Sequence, residues 1–185
     1  MNIPNILTAL RFLIVPIFGY FLMTEQYLVA ILLFLVAGLT DILDGYIARK
    51  YNLITSFGKL ADPLADKCMQ IMALVVLVFQ PNPLIPVTVL IIVVAKEIFM
   101  AAGSMLLYKR GKNIVAANWY GKLATVILYS AIFMTIIVKM EKFNTILNNS
   151  YTSILINVFV GIAVISALFA FFMYSMTFRQ ITKAK

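Results

Sequence analysis

The stretch DILDGYIARKYNLITSFGKLADPLAD, residues Asp41–Asp66, concentrates charge in a chain that is otherwise strongly apolar. Of the 185 residues, 63% are apolar and only 12% are charged, and the mean hydropathy is +1.01. Soluble domains are roughly half apolar and a quarter charged. The composition therefore predicts an integral membrane protein, yet four of its seven acidic residues lie within this one stretch.

Six apolar runs, each close to the roughly 20 residues that a membrane-spanning helix needs, follow one another along the sequence. Polar residues, glycine or proline interrupt them and mark the turns. The pattern predicts an all-α membrane protein of six transmembrane helices, forming a single transmembrane domain over residues 1–185. The predicted spans are Ile6–Met23, Tyr27–Ala48, Phe57–Phe79, Leu84–Tyr108, Tyr120–Val138 and Ile154–Met176.

Basic residues are distributed unevenly across the predicted membrane. Six spans place both termini on one side, and that side collects nine basic residues against two, so the termini are predicted to be cytoplasmic. The net charge of +8 favours contact with anionic lipid headgroups. Nucleic acid is not an expected partner, because the basic residues flank spans and form no patch with exposed aromatic residues. The nine are Arg49, Lys50, Lys59, Lys109, Arg110, Lys112, Arg179, Lys183 and Lys185; the two are Lys139 and Lys142.

The four aspartates are spaced so that each of two helices presents a pair on one face. Asp41 and Asp44 are three residues apart on the second helix, and Asp62 and Asp66 are four apart on the third. The short connection at residues 51–55 predicts that these helices are antiparallel neighbours with opposing faces. All four carboxylates are therefore expected to converge near the cytoplasmic surface.

Four carboxylates so close together would repel one another unless a cation neutralised them. The chain has no histidine and a single cysteine. An all-oxygen ligand set therefore favours Mg²⁺ or Mn²⁺ over zinc. Arg49 and Lys59 offer donors to a phosphate, and three small residues leave room for a ligand: Gly45, Ala48 and Gly58. These features predict a metal-dependent diphosphate site; the alternative, a network that only ties two helices together, does not require the small residues.

The pattern Asp41-x2-Asp44-Gly45-x2-Ala48-Arg49-x8-Gly58-x3-Asp62-x3-Asp66 resembles the signature of the CDP-alcohol phosphotransferases at every specified position. The segments NIPNILTALRFLIVP and GKLADPLADK are similar to those of bacterial phosphatidylglycerophosphate synthases and of the CDP-alcohol type of cardiolipin synthase. The resemblance implies six helices and a homodimer in the bacterial cytoplasmic membrane. It also implies transfer of a phosphatidyl group from CDP-diacylglycerol to an alcohol, with release of CMP.

The same resemblance implies roles for individual residues. Asp41, Asp44 and Asp62 would bind two Mg²⁺ or Mn²⁺ ions, and Asp66 would lie near the ions and act as the general base. Arg49 would either contact a phosphate or brace Asp44, and both expectations stay open. The residues expected to line the CDP-diacylglycerol pocket are Asn5, Thr8, Gly45, Ala48, Arg49 and Gly58.

The alcohol acceptor depends on basic residues in the second half. Phosphatidylglycerophosphate synthases typically carry an Arg-Glu pair, a second Arg two turns later and a Gly-Lys-x-Lys-Thr run. This chain has Lys96-Glu97, Ser104 and GKLAT with Ala124. The missing cations favour phosphatidylglycerol, the acceptor of a cardiolipin synthase. The basic residues that remain still suit the phosphate of glycerol 3-phosphate. Glycerol 3-phosphate is the first choice of acceptor. Glu97 is predicted to hold Lys96 or Lys122 in place. Candidate acceptor-binding residues are Lys59, Lys96, Lys109, Arg110 and Lys122.

A small membrane transporter is the remaining alternative, because acids within a membrane can also line an ion path. The acids of this chain cluster near one predicted surface and alternate with small residues. That arrangement favours an enzyme.

Overall fold

The structure is a computed structural model that describes residues 3–51, 55–109, 119–140 and 149–183. Within these ranges all regular secondary structure is helical, which confirms the predicted all-α class. The helices are α1 (Ile3–Met23), α2 (Tyr27–Lys50), α3 (Ser56–Phe79), α4 (Val87–Lys109), α5 (Trp119–Lys139) and α6 (Asn149–Lys183).

Five of the six predicted spans match the helices to within three residues at each end, and the last helix is longer than predicted at both ends. Helix α4 begins at Val87 and not at Leu84, because Pro86 disfavours the helical conformation of the residue before it. Helix α6 has 35 residues and extends beyond the predicted span at both ends. Its rise of about 50 Å exceeds the roughly 30 Å of a bilayer's hydrocarbon core. The polar ends of α6 are therefore expected to reach the headgroup regions.

Four helices of the described ranges, α1, α2, α5 and α6, are long and apolar enough to cross a membrane. Only 28% to 39% of each apolar window is buried inside the protein. Apolar surface exposed on this scale suits contact with lipid. That α3 and α4 also span the membrane stays a prediction.

The chain divides into two compact units, and the amino-terminal unit contains α1, α2 and α3. Helix α1 packs extensively against both α2 and α3. A turn at residues 24–26, in which Glu25 has φ 59°, reverses the chain between α1 and α2. The expectation that α2 and α3 oppose each other directly is corrected, since the main contacts of both are with α1. The buried face of α1 repeats at helical spacing: Thr8, Arg11, Val15, Phe18 and Leu22.

The second unit contains α4, α6 and nearly all of α5. Helix α6 packs against α4, where the Tyr174 hydroxyl donates a hydrogen bond of 3.0 Å to the Met100 carbonyl. Tyr120 and Ala124 of α5 pack with Ala170 of α6 in a buried apolar cluster. Helix α6 thus contacts both other helices of its unit.

Replacing Gly103 on α4 tests the close packing against α6. A Cβ at Gly103 would lie 2.6 Å from the Tyr174 hydroxyl oxygen and 3.2 Å from its ring, so the Tyr174 side chain or one of the two helices would have to shift. We expect Gly103→Ala to lower the free energy of unfolding by about 1 to 3 kcal/mol, as overpacking does. Thermal unfolding in detergent measures this loss.

Gly161→Ala on α6 is the matched control, because no other part of the described structure lies within 4 Å of a Cβ there. Alanine favours helix over glycine by about 1 kcal/mol, so this variant should be at least as stable as wild type. Equal effects of the two substitutions would contradict the proposed contact.

Candidate active site

A buried arginine lies at the centre of the acidic cluster. Arg11 of α1 is only 1% exposed. Its Nη1 atom lies 2.9 Å from Asp41 Oδ1 and 3.1 Å from Asp66 Oδ1, and its Nη2 atom lies 2.6 Å from Asp44 Oδ2. A single guanidinium therefore connects the acids of α2 with an acid of α3.

Asp62 is held by a different side chain of α1. The Thr8 hydroxyl lies 2.6 Å from Asp62 Oδ1 and 3.1 Å from the Pro4 carbonyl. A hydroxyl has one proton to donate, and the shorter contact to a charged acceptor is the stronger. Thr8 precedes Arg11 by three residues and so shares its face. Two neighbouring positions of α1 thus contact all four aspartates.

The beginning of α3 is attached to the beginning of α1. Thr55 caps α3 by accepting a hydrogen bond of 2.9 Å from the Gly58 amide, and its hydroxyl donates to Asn5 Oδ1 at 3.0 Å. A Cβ at Gly58 would lie 3.2 Å from Thr55 Oγ1 and 3.3 Å from Asn5 Oδ1. The missing side chain at Gly58 therefore allows this close contact between the helices.

The aspartates differ in how far solvent reaches them. The side chain of Asp44 is 3% exposed, whereas those of Asp41 and Asp66 are each 41% exposed. A substrate can approach Asp41 and Asp66 directly. Asp44 is covered by protein and makes its shortest ionic contact with Arg11.

The cluster has the charge and the chemistry for a divalent cation. One guanidinium against four carboxylates leaves three negative charges in excess among these side chains, and every acidic donor is a hard oxygen. Among the described residues, however, no three acidic or cysteine side chains are arranged to bind one metal ion. The carboxylates of Asp41, Asp44 and Asp66 surround Arg11 instead. The donor set thus fits the predicted metal, but Arg11 would have to release some of these oxygens.

The other candidates of the amino-terminal unit lie near the acids in sequence. Gly45 and Ala48 are half-buried on α2, within about one turn of Asp44. The side chains of Arg49 and Lys59 lie outside the described part of the structure. Their predicted phosphate contacts therefore stay predictions.

The candidate acceptor residues on α4 and α5 belong to the second unit. Lys96 is buried, and its Nζ atom lies 2.8 Å from Glu97 Oε1, so Glu97 holds Lys96 as predicted. Lys122 is exposed in the first turns of α5. The side chain of Lys109 and the whole of Arg110 lie outside the described residues.

Ala124 occupies the position of the second lysine in the Gly-Lys-x-Lys-Thr run of related synthases. It is 2% exposed and packs with Tyr120 and Ala170. A lysine there would have to bury its charge between α5 and α6. Burial thus disfavours a lysine at this position in the structure.

Sequence reasoning assigned no role to Arg11 and treated it as part of the first span. Two signals could have identified it. Four carboxylates need counter-charge, and a basic residue within an apolar run usually pairs with an acid or faces the protein interior. Its spacing of three residues from Thr8 also places it on the face that was predicted to line the pocket.

Comparison with protein families matches residues 1–174 to the model of the CDP-alcohol phosphatidyltransferases. The chain belongs to the CDP-alcohol phosphatidyltransferase family. The resemblance seen in the acidic motif is thereby confirmed, and membership of a phosphatidyltransferase family favours the enzyme over the transporter.

The curated relatives of this CDP-alcohol phosphatidyltransferase include several that share the name CDP-diacylglycerol--glycerol-3-phosphate 3-phosphatidyltransferase. The Bacillus subtilis (strain 168) protein is 36% identical over 139 residues, which cover 67% of this chain and 70% of the relative. The Rickettsia bellii (strain RML369-C) protein is 35% identical over 166 residues, covering 74% and 90%. The Haemophilus influenzae (strain ATCC 51907 / DSM 11121 / KW20 / Rd) protein is 37% identical over 128 residues, covering 67% and 69%.

Removing the hydroxyl of Thr55 tests the attachment of α3 to α1. We expect Thr55→Ala to lower the free energy of unfolding by about 1 kcal/mol, because the variant loses the cap of α3 and the bond to Asn5. Chemical unfolding in detergent gives the value. Thr24→Ala is the control, since Thr24 lies in the turn after α1 and, within the described ranges, its exposed hydroxyl bonds only the Tyr20 and Phe21 carbonyls of α1. An equal loss in the control would contradict a special role of Thr55.

Proposed function

We propose that this protein transfers the phosphatidyl group of CDP-diacylglycerol to sn-glycerol 3-phosphate and releases CMP, a step of phospholipid biosynthesis. The main support is the gathering of the four motif aspartates around Arg11 and Thr8 on one face of α1. The names of relatives that match about two thirds or more of the chain support the choice of acceptor.

The reaction requires a hydroxyl to attack phosphorus. The acceptor oxygen forms a bond to the phosphorus that carries diacylglycerol, and the bond from that phosphorus to the bridging diphosphate oxygen breaks. CMP leaves with the electron pair, and Asp66 takes the proton of the acceptor hydroxyl. Asp66 suits this role because its side chain is 41% exposed and its Oδ1 atom is oriented by Arg11.

We expect two Mg²⁺ or Mn²⁺ ions to be held by Asp41, Asp44 and Asp62, with Asp66 close by. Such ions, when bound, neutralise charge on the diphosphate and on the leaving CMP. The excess of three negative charges and the all-oxygen donor set support this expectation.

The remaining expectations concern the nucleotide, the membrane and assembly. The cytidine diphosphate is expected to bind at the start of α1 and α3, beside Asn5, Thr8 and Gly58. Gly45 and Ala48 of α2 are expected to lie next to it. The distribution of basic residues supports a site on the cytoplasmic face of a bacterial cytoplasmic membrane. A homodimer is expected from the likeness to the family.

Phosphatidylglycerol is the alternative acceptor, and it would make the protein a cardiolipin synthase. The cations missing at Ser104 and Ala124 favour it, although Ala124 is buried in the structure. The deciding experiment supplies purified protein with CDP-diacylglycerol and both acceptors, and identifies the lipid products by mass spectrometry. Phosphatidylglycerophosphate is the expected product; cardiolipin alone would overturn the proposal.

Neutralising single aspartates tests the metal site. Asp41→Asn and Asp62→Asn should each reduce transfer by roughly 100-fold or more, the scale on which one lost electrostatic contact affects a transition state. Asp66→Asn should be similarly inactive yet still bind CDP-diacylglycerol, because only the proton transfer needs the base. CMP release is the assay, and circular dichroism checks the fold.

Two controls accompany these variants. Glu25→Gln changes an acid in the turn between α1 and α2 and should keep full activity. Chelation with EDTA should abolish transfer by wild type, and Mg²⁺ or Mn²⁺ should restore it. Near-normal turnover of Asp41→Asn or Asp62→Asn would contradict the assignment of ligands.

Lys122 offers a test of the acceptor site. If it pairs with the phosphate of glycerol 3-phosphate, Lys122→Gln should raise KM for that acceptor by about tenfold or more, as expected for the loss of a charged hydrogen bond. KM for CDP-diacylglycerol should not change. Lys139→Gln, at the other end of α5, is the control. An unchanged KM would remove Lys122 from the acceptor site.

A further inference from the structure

Arg11 and the expected divalent cation bind the same carboxylate groups. Two of the carboxylates that contact Arg11, those of Asp41 and Asp44, are expected metal ligands. A guanidinium and a metal ion that share a carboxylate repel each other and draw on the same negative charge. Binding of the ion is therefore expected to weaken the contacts of Arg11 with these two carboxylates.

The charge of Arg11 is compensated by the surrounding carboxylates, but its hydrogen-bond donors are not all satisfied. Its Nε atom is buried and has no hydrogen-bond partner among the described residues. An unpaired buried donor costs free energy, which reduces what Arg11 loses when it moves. An arginine also keeps its charge at any relevant pH, so it must remain beside some carboxylate. Asp66 can serve, because its Oδ1 atom already lies 3.1 Å from Arg11 Nη1 and it is not one of the three expected ligands of the ions.

We propose that Arg11 is an internal counter-ion that holds Asp41, Asp44 and Asp66 together while no divalent cation is bound, and that yields Asp41 and Asp44 to the cation. The inference rests on the metal dependence in the proposed function. Arg11 is thus a positioning residue for the metal site, and it competes with the metal.

Competition predicts the sign of a change in metal affinity. If the state in which Arg11 holds the carboxylates is about ten times more populated than the competent state, it weakens apparent affinity about tenfold. Arg11→Met keeps most of the length and apolar bulk but removes the charge. Mn²⁺ binding, measured from the electron paramagnetic resonance signal of free Mn²⁺, should therefore tighten about tenfold. A brace that orients the ligands would give the opposite result, so unchanged or weaker binding overturns the proposal.

Arg179→Met is the matched control, since Arg179 is an exposed arginine of α6. It should leave Mn²⁺ affinity unchanged. Arg11→Lys retains one charge but has no planar fork to reach three carboxylates. Its affinity should fall between those of wild type and Arg11→Met, and an affinity below that of wild type overturns the proposal.

Thermal unfolding separates this role from a purely structural one. Without divalent metal, Arg11→Met should unfold at a lower temperature than wild type, because three acids lose their counter-ion. Added Mn²⁺ should raise the unfolding temperature of the variant more than that of wild type. An equal rise in both proteins would show that Arg11 does not compete with the ion.

The wild-type protein provides a test that does not depend on whether a variant folds. Structures determined with and without Mn²⁺ should differ at the 2.6 Å contact between Arg11 Nη2 and Asp44 Oδ2, which should be lost with the ion bound. A retained contact beside a bound ion overturns the proposal. Phosphatidyl transfer by wild type is measured separately. If wild type transfers but Arg11→Met does not bind Mn²⁺ more tightly, only the competition is refuted. If Arg11→Met binds Mn²⁺ more tightly but wild type does not transfer, only the proposed function is refuted.

Discussion

The first unit depends on the ion pairs between one buried guanidinium and three carboxylates. The charged side chain of Arg11 can be buried, with only 1% exposed, because Asp41, Asp44 and Asp66 surround it. Removal of one partner from a buried ion pair leaves an uncompensated charge, which is strongly destabilising. The contact of α1 with α2 and its contact with α3 are therefore interdependent. The bond from Thr8 to Asp62 extends the same face of α1 by one turn.

Much of this arrangement follows from distances along the chain. The apolar runs predict the helices, and spacings of three and four place each aspartate pair on one face. Asp44 lies six residues before the end of α2 at Lys50, and Asp62 lies six residues after the start of α3 at Ser56. Equal rises of about 9 Å bring the two pairs to one level. Sequence reasoning could predict that the acids meet for this reason.

The central position of α1 could not be predicted in the same way. A periodic apolar face indicates that a helix is buried but not which neighbours bury it, so Arg11 was read only as part of a span. The burial of Ala124 could not be predicted for a related reason, since a motif position carries no information about burial. The late start of α4 differs from both, because Pro86 is a local signal that was present in the sequence and was missed.

The ion pairs of Arg11 also bear on how the chain enters a membrane during synthesis. An arginine within a spanning segment costs about 3 kcal/mol on insertion scales. Helix α1 is made first, when none of Asp41, Asp44 and Asp66 has yet been synthesised. The carboxylates of α2 and α3 are equally costly without the arginine. If α3 also spans the membrane as predicted, we expect stable insertion of α1 to depend on translation as far as α3, so that the three helices insert cooperatively.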